Sequence, residues 1–220
     1  MSDLIECQVE PRRNRSSQEF AMRRTLTDWA RPRWPSARIV HELVVGENRI
    51  DMALICPNRI IGIEIKSSKD VLDRADAQIR AFVNHFQTVI VAVAPKFRDA
   101  KHGHLPHWHG ADTLECGEVV NANYCLFKEN RLITTQMLNL LWAAEARNVA
   151  ARLRVSHTKS TPLYSIVPEI ARKATGDEIV REVCRELRAR DAFPKAKDHP
   201  PSDPPITGDD RPPPLSTRSE

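Results

Sequence analysis

Two carboxylates and a lysine stand inside the most apolar part of this chain. The stretch RIDMALICPNRIIGIEIKSSKD, Arg49 to Asp70, carries Asp51, Glu64 and Lys66 among isoleucines, Met52 and Leu54. Its two apolar runs read as strands joined by the polar turn CPNR. Strand side chains alternate between faces, so Gly62, Glu64 and Lys66 share one face of the later strand and Ile61, Ile63 and Ile65 the other. On the earlier strand, Asp51, Ala53 and Ile55 are expected on one face, against Ile50, Met52 and Leu54. Paired as a hairpin, the strands bring Asp51 and Glu64 to the same face, with Lys66 one step further on. Two carboxylates held together are costly unless something neutralises them. A divalent cation does so directly, and hard oxygen ligands with room for water suit Mg²⁺ or Mn²⁺. Phosphodiester hydrolysis uses such a site. The metal polarises a phosphoryl oxygen and acidifies a bound water, while the lysine orients that water or stabilises developing charge. The bland alternative is an exposed strand face with a cross-strand charge pair, which is ordinary in antiparallel sheets.

The flanking sequence supplies elements that position these residues. SSQEFAMRRTLTDWA reads as a helix with Ser17 as N-cap, ended by the prolines of RPRWPS. ARIVHELVV, RIDMALI and IIGIEIKSS read as three strands with short turns, hence an antiparallel meander. KDVLDRADAQIRAFVNHF is a crossover helix, and TVIVAVAP a strand buried on both faces that pairs parallel to the third. EVVNANYCLFKENRLI suggests a late hairpin around KEN, and TTQMLNLLWAAEARNVAARLR one further helix. Shorter helices are expected near residues 162–174 and 177–191. The expected organisation is a mobile arm at 1–17, an α/β domain at 18–134, a helical module at 135–193 and a disordered proline-rich tail at 194–220.

Composition narrows the classes. A chain of 220 residues with 41% apolar and 28% charged residues fits a globular protein. Its net charge of +4 has no long basic run behind it, so it permits nucleic-acid binding without demanding it. Five cysteines (Cys7, Cys56, Cys116, Cys125, Cys184) without a CxxC pair argue for a reducing compartment and against a four-cysteine metal site. No signal-type run or transmembrane-length apolar stretch is present, so the expectation is a cytoplasmic protein without a membrane partner.

With Asp51, Glu64 and Lys66 in that order of elements, residues 18–95 resemble the PD-(D/E)xK nuclease superfamily. RID supplies the aspartate and EIK the glutamate and lysine, while Ile50 stands where the motif's proline would be. The run from Glu42 through EIKSSKD to Gln78 is similar to small bacterial and phage restriction-endonuclease-like proteins, and more distantly to MmcB-type DNA repair proteins. The resemblance implies a restriction-endonuclease-like αβββαβ core with a mixed sheet, followed by a small helical module. It also implies a Mg²⁺-dependent deoxyribonuclease, with Mn²⁺ able to substitute, serving repair, recombination, phage or restriction-type processing. Metal would be held by Asp51, Glu64 and Glu19, with Lys66 catalytic and Glu42 and Gln78 auxiliary. Gln78 is followed four residues later by Phe82, where RecB-type relatives have tyrosine, so that hydroxyl is missing. Arg49, Lys69, Arg74 and Lys159 are the candidate DNA contacts. DNA is the expected partner, and a homodimer is implied by analogy, since many such nucleases act as dimers.

The bland readings are a Glu19 favoured by the helix dipole and a Gln78, Lys69 and Arg74 on a solvated helix surface. His102, His104, His107 and His109 with Cys116 raise zinc, but lack its usual paired-cysteine spacing. The C-terminal helices loosely resemble a SAP-like module, with Arg147, Arg152, Arg154, Lys159, Arg172 and Lys173 as candidate phosphate contacts. The rival function is a DNA-binding or scaffold protein that keeps the nuclease fold without turnover.

Overall fold

The three apolar runs after the first helix fold back on one another. β1 (Arg38–Val45), β2 (Asn48–Ile55) and β3 (Ile60–Lys66) pair antiparallel in succession. Gly46 opens the two-residue β1–β2 turn at φ +59°, a conformation that glycine adopts without a Cβ penalty. α2 (Ala75–Val83) then carries the chain across the sheet, and β4 (Thr88–Val93) lies parallel to β3. β5 (Val120–Tyr124) closes a five-stranded mixed sheet, order β1-β2-β3-β4-β5. The computed structural model describes residues 17–71, 75–94, 97, 120–124, 131–191 and 202–207, and it is an α/β protein.

Each face of the sheet is covered by helix. α1 (Ser17–Arg33) lays Met22, Leu26 and Ala30 on Met52, Leu54, Ile61, Ile63 and Ile65. This helix runs through Pro32 rather than ending before it, because a proline in the last turn forfeits only one backbone bond, and Trp34 N–H still reaches the Ala30 carbonyl at 2.9 Å. The other face carries α2 together with α3 (Arg131–Leu138), α4 (Ala143–Arg152), α5 (Leu163–Lys173) and α6 (Gly176–Ala189). One continuous apolar cluster joins Val40, Ala53 and Val91 of the sheet to Phe82, Met137, Val149, Ile170 and Leu187 of these helices.

Three expectations for the C-terminal half change. Residues 131–133, expected as the return strand of a hairpin around KEN, begin α3; residues 125–130 lie outside the described ones. The single helix expected from residue 134 is two, because residues 139–141 close tight turns onto residues 136–138 that sink both Leu140 and Leu141 into the core. The Glu145 carboxylate then caps the Trp142 N–H at 2.7 Å and restarts the helix. Residues 202–207, expected from composition to be disordered, lie along the outer edge of β1. Asp203 N–H donates to the Ile39 carbonyl at 2.8 Å, and the Asp203 side chain accepts from Ile39 N–H at 2.8 Å. The edge strand's free backbone groups give this segment its partners. No helix among the described residues is long and apolar enough to cross a membrane.

Strand alternation breaks once, at the same level in two strands. On β2, Met52 and Leu54 face α1 and Ala53 and Ile55 the other layer, yet Ile50 joins Ala53 and Ile55. This corrects the expectation that Ile50 shares the face of Met52 and Leu54. On β1, Ile39 faces α1 and Val40 the opposite layer, but Leu43 and Val45 both face away from α1. The flip falls at Glu42, whose φ is +59°, and the register continues unchanged from His41↔Met52 to Leu43↔Ile50. Because both strands change face together, pairing survives while Glu42 and Asp51 are turned out of the two packed layers.

Candidate active site

The paired residues of β2 and β3 run from Ile55↔Ile60 to Met52↔Ile63, and no further. The next step would pair Asp51 with Glu64. There the strands part, and the Asp51 Oδ2 accepts the Ile65 N–H at 2.7 Å, taking the place of a ladder carbonyl. β3 continues past the fork, held by β4 as far as Lys66↔Val93. The fork therefore places acidic side chains on backbone that is rigid on one side.

Glu64 is buried on the face covered by α2. Its Oε1 accepts from Lys66 Nζ at 2.7 Å, and the same Nζ donates to Gln78 Oε1 on α2 at 2.8 Å. Glu64 Oε2 is buried and meets no hydrogen-bond donor, only the neighbouring Asp51 carboxylate. Burial, followed by the charge of Asp51, pushes the Glu64 carboxyl up to about 8, against the pull of Lys66. Burial also raises Asp51, although the Arg23 guanidinium and the Ile65 N–H favour its charged form.

Arg23 was not singled out in the sequence. From α1 it lies 1% exposed, and its Nη2 meets Asp51 Oδ1 at 2.6 Å, Glu19 Oε1 at 2.8 Å and Glu42 Oε1 at 2.9 Å. Burial alone would lower the guanidinium's pKa, but Asp51, Glu19 and Glu42 hold it raised. A faint signal was available: Glu19 and Arg23 are four apart on one helix face, next to the buried Met22 and Leu26.

Glu42 gains its place by strain. A non-glycine residue at φ +59° costs on the order of 1–3 kcal/mol and persists only where surroundings over-determine it. Here the strain directs a buried carboxylate to Arg23 through Oε1, while Oε2 lies 3.4 Å from Arg49 Nη1. Arg49, expected to contact DNA, is thus half-exposed and paired with Glu42.

The structure brings together Glu19, Glu42, Asp51, Glu64, Lys66 and Gln78. Lys69 is exposed in the turn after β3. Lys159 lies in the α4–α5 loop beside Arg147 and His157, and shares none of the bonds of the acid cluster. Arg74, and the histidine-rich stretch 102–109 with Cys116, fall outside the described residues. Of the other C-terminal basic residues, Arg152 pairs with Glu182 and Glu186, Arg172 pairs with Glu169, and Lys173 donates to the Arg154 carbonyl.

Two positions among the described residues could hold a cation. Glu19, Glu42 and Asp51 each offer an oxygen within 4.8 Å of the others, but the Arg23 Nη2 already bonds to all three. Beside them, the unpartnered Glu64 Oε2 adjoins the Asp51 carboxylate. A hard divalent ion fits this second position, since it would supply the missing partner and relieve two carboxylates at once.

Residues 12–107 match the family model described as bacteriophage P4 protein cII. The match spans under half of the chain and encloses every residue of the acid cluster. No curated protein sequence matches. Among solved structures, a protein of unknown function from Silicibacter pomeroyi is similar at 22% identity and a TM-score of 0.34, over 59% of this chain and 88% of that one.

Proposed function

We propose that this chain is a divalent-metal-dependent nuclease that hydrolyses DNA phosphodiester bonds, with a restriction-endonuclease-like αβββαβ core of the PD-(D/E)xK type. The observation that carries this reading is the fork between β2 and β3. It sets Asp51 against Glu64, leaves Glu64 Oε2 without a partner, and holds Lys66 Nζ between Glu64 and Gln78. Asp51 and Glu64 are the ligands for Mg²⁺, for which Mn²⁺ can substitute. When bound, that ion polarises a phosphoryl oxygen and acidifies a water. Lys66 has three donor hydrogens, and two are taken by Glu64 and Gln78. The third is available to orient the attacking water or to meet a phosphate oxygen. Gln78 fixes the ammonium's direction.

The test is a cleavage panel of linear, single-stranded and branched DNA, with RNA beside them, in Mg²⁺ and in Mn²⁺. Wild type cuts DNA, and Lys66→Ala, Asp51→Ala and Glu64→Ala each cut at least about a hundredfold more slowly. Equal cleavage by wild type and all three variants would remove these residues from the mechanism. A second reading, a DNA-binding protein without turnover, is favoured by one observation: Arg23 already neutralises Asp51. Metal-independent binding to DNA with no cleavage of any substrate supports that alternative.

A further inference from the structure

We propose that Arg23 is a built-in cation of the acid cluster, so that Glu19 and Glu42 hold an arginine rather than a metal and the site takes a single divalent ion, between Asp51 and Glu64. The single-ion part rests on the metal reading above; the arginine's occupancy of the cradle does not. Three features carry the inference. The Nη2 atom lies 2.6 to 2.9 Å from one oxygen of each of three carboxylates, which is where a metal ligated by all three would have to sit. The side chain is fully buried and anchored a second time, through Nη1, to the Asp51 carbonyl. The cradle is also shaped for it: Glu42 adopts a left-handed backbone that delivers its carboxylate to this guanidinium. A planar fork that cannot lose its proton suits a permanent charge in such a place.

The role is one of positioning. Asp51 Oδ1 is taken by Arg23 and Oδ2 by the Ile65 N–H, so the carboxylate is clamped at both ends, beside the Glu64 carboxyl. Glu19 and Glu42 orient the clamp. A two-ion mechanism, with metals flanking the scissile phosphate, then has no second seat.

Mn²⁺ titrated into metal-free protein and counted by electron paramagnetic resonance decides this without any turnover. Wild type should hold one ion and Arg23→Gln two. Glu19→Gln, which keeps the arginine and is expected to fold even where Arg23→Gln does not, should lose clearly less Mn²⁺ affinity than Glu64→Gln, which should lose at least about tenfold. Two ions on wild type, one ion on both wild type and a folded Arg23→Gln, or a loss in Glu19→Gln as large as in Glu64→Gln overturns the proposal. Failure of the nuclease reading looks different. A wild type that binds no Mn²⁺ while Arg23→Gln binds one ends the metal-nuclease reading and leaves the arginine in its cradle. No binding by either protein ends both.

Discussion

Removing the glutamate at the fork should stabilise the metal-free protein, and the gain should depend on pH. Glu64 binds its proton more tightly when folded, because burial and Asp51 lift its pKa from the ordinary 4.5 to about 8. Between those values the native state keeps a proton that the unfolded state has released. Stability from this group is therefore intact below the lower value and is lost as pH rises through the upper one. At 1.36 kcal/mol per pKa unit, the penalty is about 1 kcal/mol at pH 5 and about 4 kcal/mol at pH 8. Glu64→Gln resembles the protonated acid, keeps an acceptor for Lys66 Nζ and cannot ionise. Urea unfolding of both proteins in EDTA, from pH 5 to pH 9, should show a stability gap in favour of the variant. That gap should widen by about 3 kcal/mol between pH 5 and pH 8, with an unchanged m-value. Comparing the two proteins cancels the titration of other groups. Mg²⁺ added at pH 8 should restore wild type and leave the variant unmoved, by mass action on the folded state. A gap that is flat with pH, or that favours wild type at pH 8, would refute the claim that Glu64 is a strained, proton-hungry carboxyl.

Two further substitutions test how the fold supports the fork. A Cβ at Gly62 would lie 2.5 Å from Ile50 Cδ1 and 2.6 Å from Phe86 Cδ2, so Gly62→Ala should cost about 1–3 kcal/mol of stability by overpacking, read by urea unfolding. A neutral result would mean that Ile50 is not held on that face. Asp203→Ala breaks the pair with Arg31 and strands the Ile39 N–H, so it should cost about 1–3 kcal/mol and speed amide exchange at residues 38–41. Unchanged exchange there would show that the tail segment does not clamp the β1 edge.

The sheet was legible because its strands are written in period-two apolar runs separated by turn residues, and the crossover helix dictated a parallel β4. Asp51, Glu64 and Lys66 were legible for the same reason, as charged residues at positions that alternation assigns to one face, whereas Gln78, on α2, came only from the resemblance. Ile50 was misplaced, since nothing in RIDMALI announces that alternation flips at Asp51. The flip coincides with Glu42 on a neighbouring strand, in a conformation that a glutamate rarely takes. Arg23 was missed because its three partners come from α1, β1 and β2, and only the closest of them, Glu19, is visible at helical spacing. The DP of the tail gave no hint that an aspartate there would meet Arg31 and the backbone of Ile39, contacts more than 160 residues apart in sequence.

Charge at the fork links these observations. Among the described residues, Glu19, Glu42, Asp51 and Glu64 face Arg23, Arg49 and Lys66, four carboxylates against three cations. One negative charge remains if every acid is ionised. In the metal-free protein, a proton on Glu64 cancels it, favoured first by burial of that carboxyl and then by the charge of Asp51. Under the proposed function, a divalent ion displaces that proton and turns the site positive by one. A phosphodiester carries a single negative charge, so substrate returns the site to neutrality. An arginine in the cradle is what makes this balance come out: a second divalent ion in its place would leave an excess of charge that one phosphodiester could not cancel. Glu42, at φ +59° and bonded to Arg23, and Gly62, beside Ile50 on the face to which β2 has turned, both belong to the break in alternation at which this charge is gathered.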